Sequence, residues 1–222
     1  MSQPPRTLLI READCLATQD DQAHEWRGAS VWCRGGFIER ILAPGENLEP
    51  WLAQADNVID ARHHVVVPGL VNTHHHMVQS LTRAVPAVQN AELFSWLRGL
   101  YPIWSGLTPE MVRVSHQVAM AELLMSGCTT SSDHHYIYPN GIRLDDSIEA
   151  AQRMGIRFVA TRGSMSVGQR DGGLPPDHVV ESEADILRDT RRVIETWHDA
   201  SPGALLQIAV APCSPFSVSP GL

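Results

Sequence analysis

The strongest constraint on the fold is an alternation of short apolar runs and longer amphipathic segments that begins after residue 76. Thr108-Pro109-Glu110 offers an N-cap, a first-turn proline and an acidic residue, and apolar periodicity then runs from Met111 to Met125. This pattern predicts a helix that ends at Gly127. Repeated strand and helix units predict a parallel sheet with helices packed on it. The other predicted strands are 128–133, 156–161 and 205–211, and the other predicted helices are 147–154 and 181–198.

Residues 1–66 carry a different pattern, in which short β signals are separated by turns. Two of these signals, 29–34 and 37–42, flank Gly35-Gly36, which predicts a β-hairpin. Closely spaced strands of this kind suit a small β domain. We therefore predict two domains, the N-terminal part of a small β domain at 1–66 and an α/β domain at 67–222.

The composition argues against several classes of function. The chain has 222 residues, of which 43% are hydrophobic, and a formal net charge of -8. Binding to a nucleic-acid backbone needs clustered basic residues, and a membrane span needs about 18 consecutive apolar residues; the sequence offers neither. Residues 1–6 lack the apolar core of a secretory signal, so we expect a cytoplasmic location. The four cysteines are widely spaced, which indicates neither a disulfide framework nor a zinc knuckle.

An apolar, β-branched run ends in three consecutive histidines, His74-His75-His76. Because side chains alternate faces along a strand, we expect His74 and His76 to face one point while His75 faces away. Two neutral imidazoles at a strand end can share a divalent ion, and zinc accepts nitrogen ligands at about 2.0–2.1 Å. A solvated histidine patch is the alternative to this metal site.

The segment that carries the histidines resembles a known family. Pro68-Gly69-Leu70-Val71-Asn72-Thr73-His74-His75-His76 is similar to the opening barrel strand of the amidohydrolase superfamily, which typically reads Pro-Gly-hydrophobic-hydrophobic-Asp/Asn-x-His-x-His. Segments 72–83, 96–104 and 131–136 narrow the resemblance to 8-oxoguanine deaminases and related guanine and s-triazine aminohydrolases. The resemblance implies a (β/α)₈ TIM-type barrel of the metal-dependent hydrolase kind, preceded by a small β-sandwich-like domain. Such a barrel typically needs about 250 residues, and only strands 1–4 can be counted here.

The resemblance also implies a reaction. A divalent metal activates water for attack on an amidine-like ring carbon, and the amino group leaves as ammonia. We expect 8-oxoguanine to be converted to urate, with a hydroxyatrazine-type s-triazine aminohydrolase and a guanine deaminase as alternatives. A cyclic-amide hydrolase that opens the ring, and a catalytically incomplete fragment or metal-binding module, are alternatives of other classes.

The basic residues limit the number of metals. All 17 basic residues other than histidine are arginines, so the chain contains no lysine. The carbamylated lysine by which binuclear amidohydrolases bridge two metals is therefore impossible within these residues, and the fourth predicted strand, 205–211, also lacks a carboxylate. We expect one divalent metal, with zinc favoured and iron as the alternative.

Strand two ends in the polar run Asp133-His134-His135-Tyr136. If strand geometry continues, His134 and Tyr136 share one face, and Asp133 and His135 share the other. His134 is a candidate substrate contact because barrel active sites form at the C-terminal ends of strands. A hydrogen-bonded structural histidine is the alternative.

Three further residues are candidate substrate contacts. The spacing of Gln79 after the histidine pair resembles guanine-deaminase-like enzymes, in which this glutamine contacts the purine; a glutamine that caps the loop is the alternative. Trp96 lies in a long connection and either packs over the heterocycle or is buried by a short amphipathic helix. Arg162 follows the third predicted strand and either fixes a carbonyl oxygen or forms a salt bridge.

The general acid and base and the remaining metal ligands are not assigned, because the resembled family takes them from strands five to eight. Two histidines fall short of the three protein ligands that are usual in catalytic zinc sites. We therefore expect the sequence to be the N-terminal half of a longer enzyme, and to bind metal weakly and not turn over without the second half. The expected partners are a small heterocyclic substrate and copies of the same chain in a homo-oligomer, with no nucleic acid and no membrane.

Overall fold

A computed structural model describes residues 6–222, and the Cα positions separate into two compact units that divide between Gly69 and Leu70. The first unit contains two small sheets and a short helix. Its elements are β1 (Thr7–Ala13), β2 (Cys15–Ala17), β3 (Glu25–Trp26), β4 (Ala29–Arg34), β5 (Phe37–Leu42), α1 (Glu49–Leu52), β6 (Asn57–Asp60) and β7 (Val65–Val66). One sheet has the order β5-β4-β1-β6 and the other has the order β3-β2-β7.

The hairpin predicted in the first unit is confirmed. Strands β4 and β5 pair antiparallel on either side of Gly35 and Gly36. Both glycines have positive φ angles, 59° and 88°, which a residue without a Cβ adopts at little cost. The Trp32 side chain on β4 is fully buried with Leu9 and Leu42, and this cluster forms part of the unit's core.

The second unit alternates strands and helices. Its elements are β8 (Leu70–Asn72), α2 (Leu93–Trp104), α3 (Pro109–Met125), β9 (Cys128–His135), α4 (Leu144–Met154), β10 (Arg157–Ser164), α5 (Glu183–Trp197) and β11 (Leu206–Pro212), with short 3₁₀ helices at Met77–Thr82, Pro86–Val88, Gln169–Asp171 and Asp177–Val179. The strands form one parallel sheet in the order β11-β10-β9-β8. This arrangement is an incomplete (β/α) barrel, as the sequence predicts.

The apolar run before the histidines does not continue as one strand through His76, as the expected alternation of His74 and His76 requires. Val65–Val66 pairs with β2 in the first unit, whereas Leu70–Asn72 pairs with β9 in the second unit. Pro68 and Gly69 separate the two pieces, because proline cannot donate a ladder hydrogen bond and glycine weakens a strand. The histidines therefore lie in a non-strand segment just after β8.

Helix ends in the second unit follow the capping signals of the sequence. The Thr108 side chain accepts a hydrogen bond from the Met111 backbone N–H and caps α3, which ends at Met125, two residues before the predicted end at Gly127. The Ser182 side chain caps α5 in the same way. Among residues 6–222, none of the helices has the combined length and apolar character that a bilayer crossing would need.

Candidate active site

The C-terminal ends of the parallel strands in the second unit border a cavity of about 260 Å³. Active sites of β/α barrels form at this end of the sheet. The cavity brings together five of the six residues that the sequence marks as candidates, and it adds aromatic and polar neighbours. The five candidates are His74, His76, Gln79, Trp96 and His134, and the neighbours include Tyr101, Tyr136, Cys213, Ser214 and Phe216.

The His74 and His76 rings form a pair at the mouth of the cavity, with centroids 5.0 Å apart and planes at 85°. His76 Nδ1 lies 2.8 Å from the backbone oxygen of His134. A carbonyl oxygen can only accept, so Nδ1 donates and Nε2 keeps the lone pair that a metal needs. The donor set therefore fits two nitrogen ligands of a divalent metal.

The segment that carries these histidines is held against β9 although it is not itself a strand. Besides the bond from His76 Nδ1, three hydrogen bonds connect it to β9: Ser132 Oγ donates to the Thr73 oxygen at 2.7 Å, the His134 N–H donates to the His75 oxygen at 2.8 Å, and the Met77 N–H donates to Asp133 Oδ1 at 2.6 Å. These contacts fix the backbone on both sides of His76. Strand β9 therefore sets the position of the histidine pair.

Behind the segment, Asp133 takes part in a buried network with two histidines. Its Oδ2 lies 3.0 Å from His116 Nε2, and His116 Nδ1 donates to the Val112 oxygen at 2.8 Å. Burial by itself would raise the pKa of Asp133, but the neighbouring His116 holds that pKa below its usual value. Burial lowers the pKa of His135 to about 4, so this ring is neutral near pH 7. Asp133 and His116 therefore form a hydrogen-bonded pair in the interior.

His116, Asp133 and His135 offer metal-type ligand atoms that all lie within 4.8 Å of one another. Each of these groups already has hydrogen-bond partners in the structure. His135 donates from Nε2 to the Ile137 oxygen at 2.7 Å, and its Nδ1 lies 3.3 Å from Ser147 Oγ. We interpret the group as a support for the Met77 backbone and not as a second metal centre, because a metal would displace these bonds.

Gln79 and the aromatic residues form the remaining walls of the cavity. Gln79 Nε2 lies 3.4 Å from the Tyr136 hydroxyl, and burial raises the pKa of Tyr136 well above its usual value, so the phenol stays protonated. Trp96 packs edge-to-face on Trp104 with ring centroids 5.3 Å apart. Burial also raises the pKa of the Cys213 thiol, which makes it a neutral wall and not an activated nucleophile.

Comparison with known proteins supports this assignment of the fold. The model of the amidohydrolase family matches residues 65–222. The chain belongs to the amidohydrolase family. An 8-oxoguanine deaminase from Pseudomonas aeruginosa is 49% identical over 188 residues, which are 84% of this chain and 41% of the relative. Hydroxydechloroatrazine ethylaminohydrolase from Pseudomonas sp. (strain ADP) is 33% identical over 96% of this chain and 46% of the relative.

A solved structure of a related enzyme has the same fold as this chain. Atrazine chlorohydrolase from Arthrobacter aurescens TC1, complexed with zinc, superposes with a TM-score of 0.89 at 29% identity, and the match covers 97% of this chain and 48% of that one. The chain spans less than half the length of each of these three relatives.

Of the six candidates from the sequence, Arg162 is the one that does not line the cavity. Its guanidinium is buried and pairs with Asp189 at 2.8 Å and Glu181 at 2.7 Å, and it stacks 4.0 Å from the Tyr138 ring centroid. In register it lies beside His135, on the face opposite His134. The prediction of a substrate contact for Arg162 is wrong, because its charge is neutralised by two carboxylates in a separate cavity.

Four contributors to the site, Tyr136, Asp133, His116 and Gly163, are not among the sequence candidates. The strand alternation of β9 indicates that Tyr136 joins His134 and that Asp133 turns away, and both expectations hold. No sequence pattern links Asp133 to His116, which comes from α3. Gly163 on β10 also gives no signal, although a Cβ there would lie 2.9 Å from His134 Cδ2 and 2.5 Å from the His135 oxygen.

We expect Gly163→Ala to destabilise this amidohydrolase by about 1–3 kcal/mol, since the added methyl group overlaps backbone that cannot move freely. The measurement is urea unfolding followed by circular dichroism. Gly106→Ala is the matched control, because a Cβ there meets nothing closer than 3.4 Å. Equal stability of the two variants would contradict the tight packing of β10 against β9.

Proposed function

We propose that the protein is a metal-dependent aminohydrolase that releases ammonia from a purine-like heterocycle, with 8-oxoguanine as substrate and urate as product. The observation that carries the proposal is the cavity in which the His74 and His76 pair faces Gln79, Trp96 and His134. Membership of the amidohydrolase family and the 49% identity to an 8-oxoguanine deaminase support it.

His74 and His76 are the proposed ligands of one divalent metal, and the zinc in the related atrazine chlorohydrolase favours zinc. When bound, such an ion lowers the pKa of water toward 7 and so supplies a nucleophile at neutral pH. Catalytic zinc sites usually have three protein ligands, so we propose that the complete site contains ligands beyond these two.

The other residues bind and orient the heterocycle in this proposal. The Gln79 amide can donate and accept together, which matches a ring nitrogen beside a carbonyl group. Trp96 offers an indole that can cover the face of a flat ring.

The test is amine release by the full-length, zinc-loaded protein with 8-oxoguanine, guanine and hydroxyatrazine. We expect the highest kcat/KM for 8-oxoguanine, with one urate formed for each ammonia. A preference for hydroxyatrazine would replace the purine by an s-triazine as substrate. Ring opening without ammonia, or zinc binding with no reaction on any of the three compounds, would overturn the proposal.

A further inference from the structure

The two ring nitrogens of His134 have different environments. Nε2 lies 3.3 Å from the backbone oxygen of Ala211, at the end of β11. A carbonyl oxygen has no proton to donate, so Nε2 carries the proton in this contact. In the neutral ring, Nδ1 therefore holds the lone pair and can only accept a hydrogen bond.

This contact spans the sheet because Gly163 has no side chain. Strand β10, which carries Gly163, lies between β9, which carries His134, and β11, which carries Ala211. A Cβ at Gly163 would come within 2.9 Å of His134 Cδ2 and within 2.7 Å of the Tyr136 Cβ. The bare glycine thus leaves the space through which the imidazole reaches the carbonyl of the next-but-one strand.

The free nitrogen of His134 is accessible from the cavity. Within residues 6–222, Nδ1 has no hydrogen-bond partner, and it is not among the enclosed side-chain atoms without a partner. The ring lines the same cavity as Gln79 and Trp96. His76 and Tyr136 lie beside it, with ring centroids at 5.3 Å and 5.2 Å. A ligand in the cavity therefore meets a fixed hydrogen-bond acceptor at this wall.

We propose that His134 Nδ1 selects heterocycles that present a ring N–H toward it, and that Gly163 and the Ala211 carbonyl hold the ring in the accepting tautomer. This inference rests on the proposed function and names the edge of the substrate that is recognised. The five-membered ring of 8-oxoguanine carries N–H groups at both N7 and N9, so either nitrogen can donate to Nδ1. A bare nitrogen at this wall would place two lone pairs together, which a site built to accept an N–H rejects.

The first test measures the tautomer directly. Long-range ¹H–¹⁵N correlation NMR of the protein labelled at histidine, with the signals assigned by comparison with His134→Asn, reports which nitrogen carries the proton. We expect the proton on Nε2 of His134. A proton on Nδ1 would overturn the proposal whatever the activity of the protein, so this readout does not depend on the bound metal or on turnover.

The second test compares the dissociation constants of 8-oxoguanine, 7-methyl-8-oxoguanine and 9-methyl-8-oxoguanine for the full-length, zinc-loaded protein. We expect one of the two methyl groups to weaken binding by about 10-fold or more, because it replaces the N–H that Nδ1 accepts. His134→Asn keeps an acceptor but loses bulk, and His134→Phe keeps bulk but loses the acceptor. The methyl penalty should persist in His134→Asn and disappear in His134→Phe.

The opposite pattern would show that the methyl group is excluded by bulk alone and would overturn the inference, as would the absence of a penalty for both methyl compounds. His178→Ala, at an exposed histidine, is the control and should keep the wild-type penalty. Bound 8-oxoguanine that is not deaminated would overturn the proposed function instead, so the two failures are distinguishable.

Discussion

Replacing His76 by alanine is expected to remove the bound metal and to lower kcat/KM by about 1,000-fold or more. Loss of the ion removes several kcal/mol of stabilisation of the transition state, and each 1.36 kcal/mol is a factor of ten in rate. His76 should be the more sensitive of the pair, since its Nε2 is directed by the hydrogen bond from Nδ1 to the His134 oxygen. The measurements are metal content after dialysis and steady-state kinetics of the full-length protein.

His75→Ala is the matched control for metal content, because it removes an imidazole from the position between the two proposed ligands. Within the described residues, His75 Nδ1 is buried without a partner, and burial lowers the pKa of this ring. We expect His75→Ala to retain the metal. Metal retained by His76→Ala and lost by His75→Ala would show that the ligands of the proposed site are assigned to the wrong histidines.

Features encoded within a few neighbouring residues could be predicted from the sequence. The threonine and proline that begin α3 predict that helix, and Gly35-Gly36 predicts the hairpin of the first unit. The histidine pair is also local, because its spacing alone makes it a metal-site candidate. The four strands of the second unit follow from the alternation of apolar runs and amphipathic helices, and their parallel pairing is confirmed.

Features that depend on which face of a strand meets the cavity could not be predicted. Most residues of β10 are buried, so the sequence offers no alternation that distinguishes the inside of the barrel from the outside. Arg162 and Gly163 are neighbours, and only the structure shows that the glycine faces the cavity wall while the arginine pairs with carboxylates behind the sheet. The partnership of His116 with Asp133 joins a helix to a strand and leaves no pattern in the sequence.

Trp96 lies on a helix and also borders the cavity. The connection before α3 does contain an amphipathic helix, α2, which buries Leu97, Leu100, Tyr101 and Trp104. Trp96 packs against Trp104 on this helix and also lines the cavity. A helix that is held by its buried aromatic residues is a more rigid cavity wall than a free loop. The role of Trp96 as a substrate contact stays a prediction.

The largest expected loss of stability follows from Asp133→Ala. The substitution leaves His116 in the interior without its charged partner and leaves the Met77 N–H without an acceptor. Breaking a buried charge pair from one side typically costs about 3–5 kcal/mol. We expect a decrease of this size in the free energy of unfolding, measured by urea titration, together with faster hydrogen exchange at the Met77 amide. Asp20→Ala should change stability little, since Asp20 pairs with His24 at 2.6 Å in an exposed position.

Asp133→Asn separates the charge of Asp133 from its shape, because the amide oxygen can still accept from the Met77 N–H. The pKa of Asp133 lies below its usual value in the folded state, so its charge stabilises the fold above the unfolded-state pKa, about 3.9, and this contribution is lost as pH falls through the folded-state pKa. The stability difference between the wild type and Asp133→Asn should therefore be largest near neutral pH and shrink below about pH 4. A difference that stays constant down to acid pH would show that the carboxylate acts in this network only as a neutral hydrogen-bond acceptor.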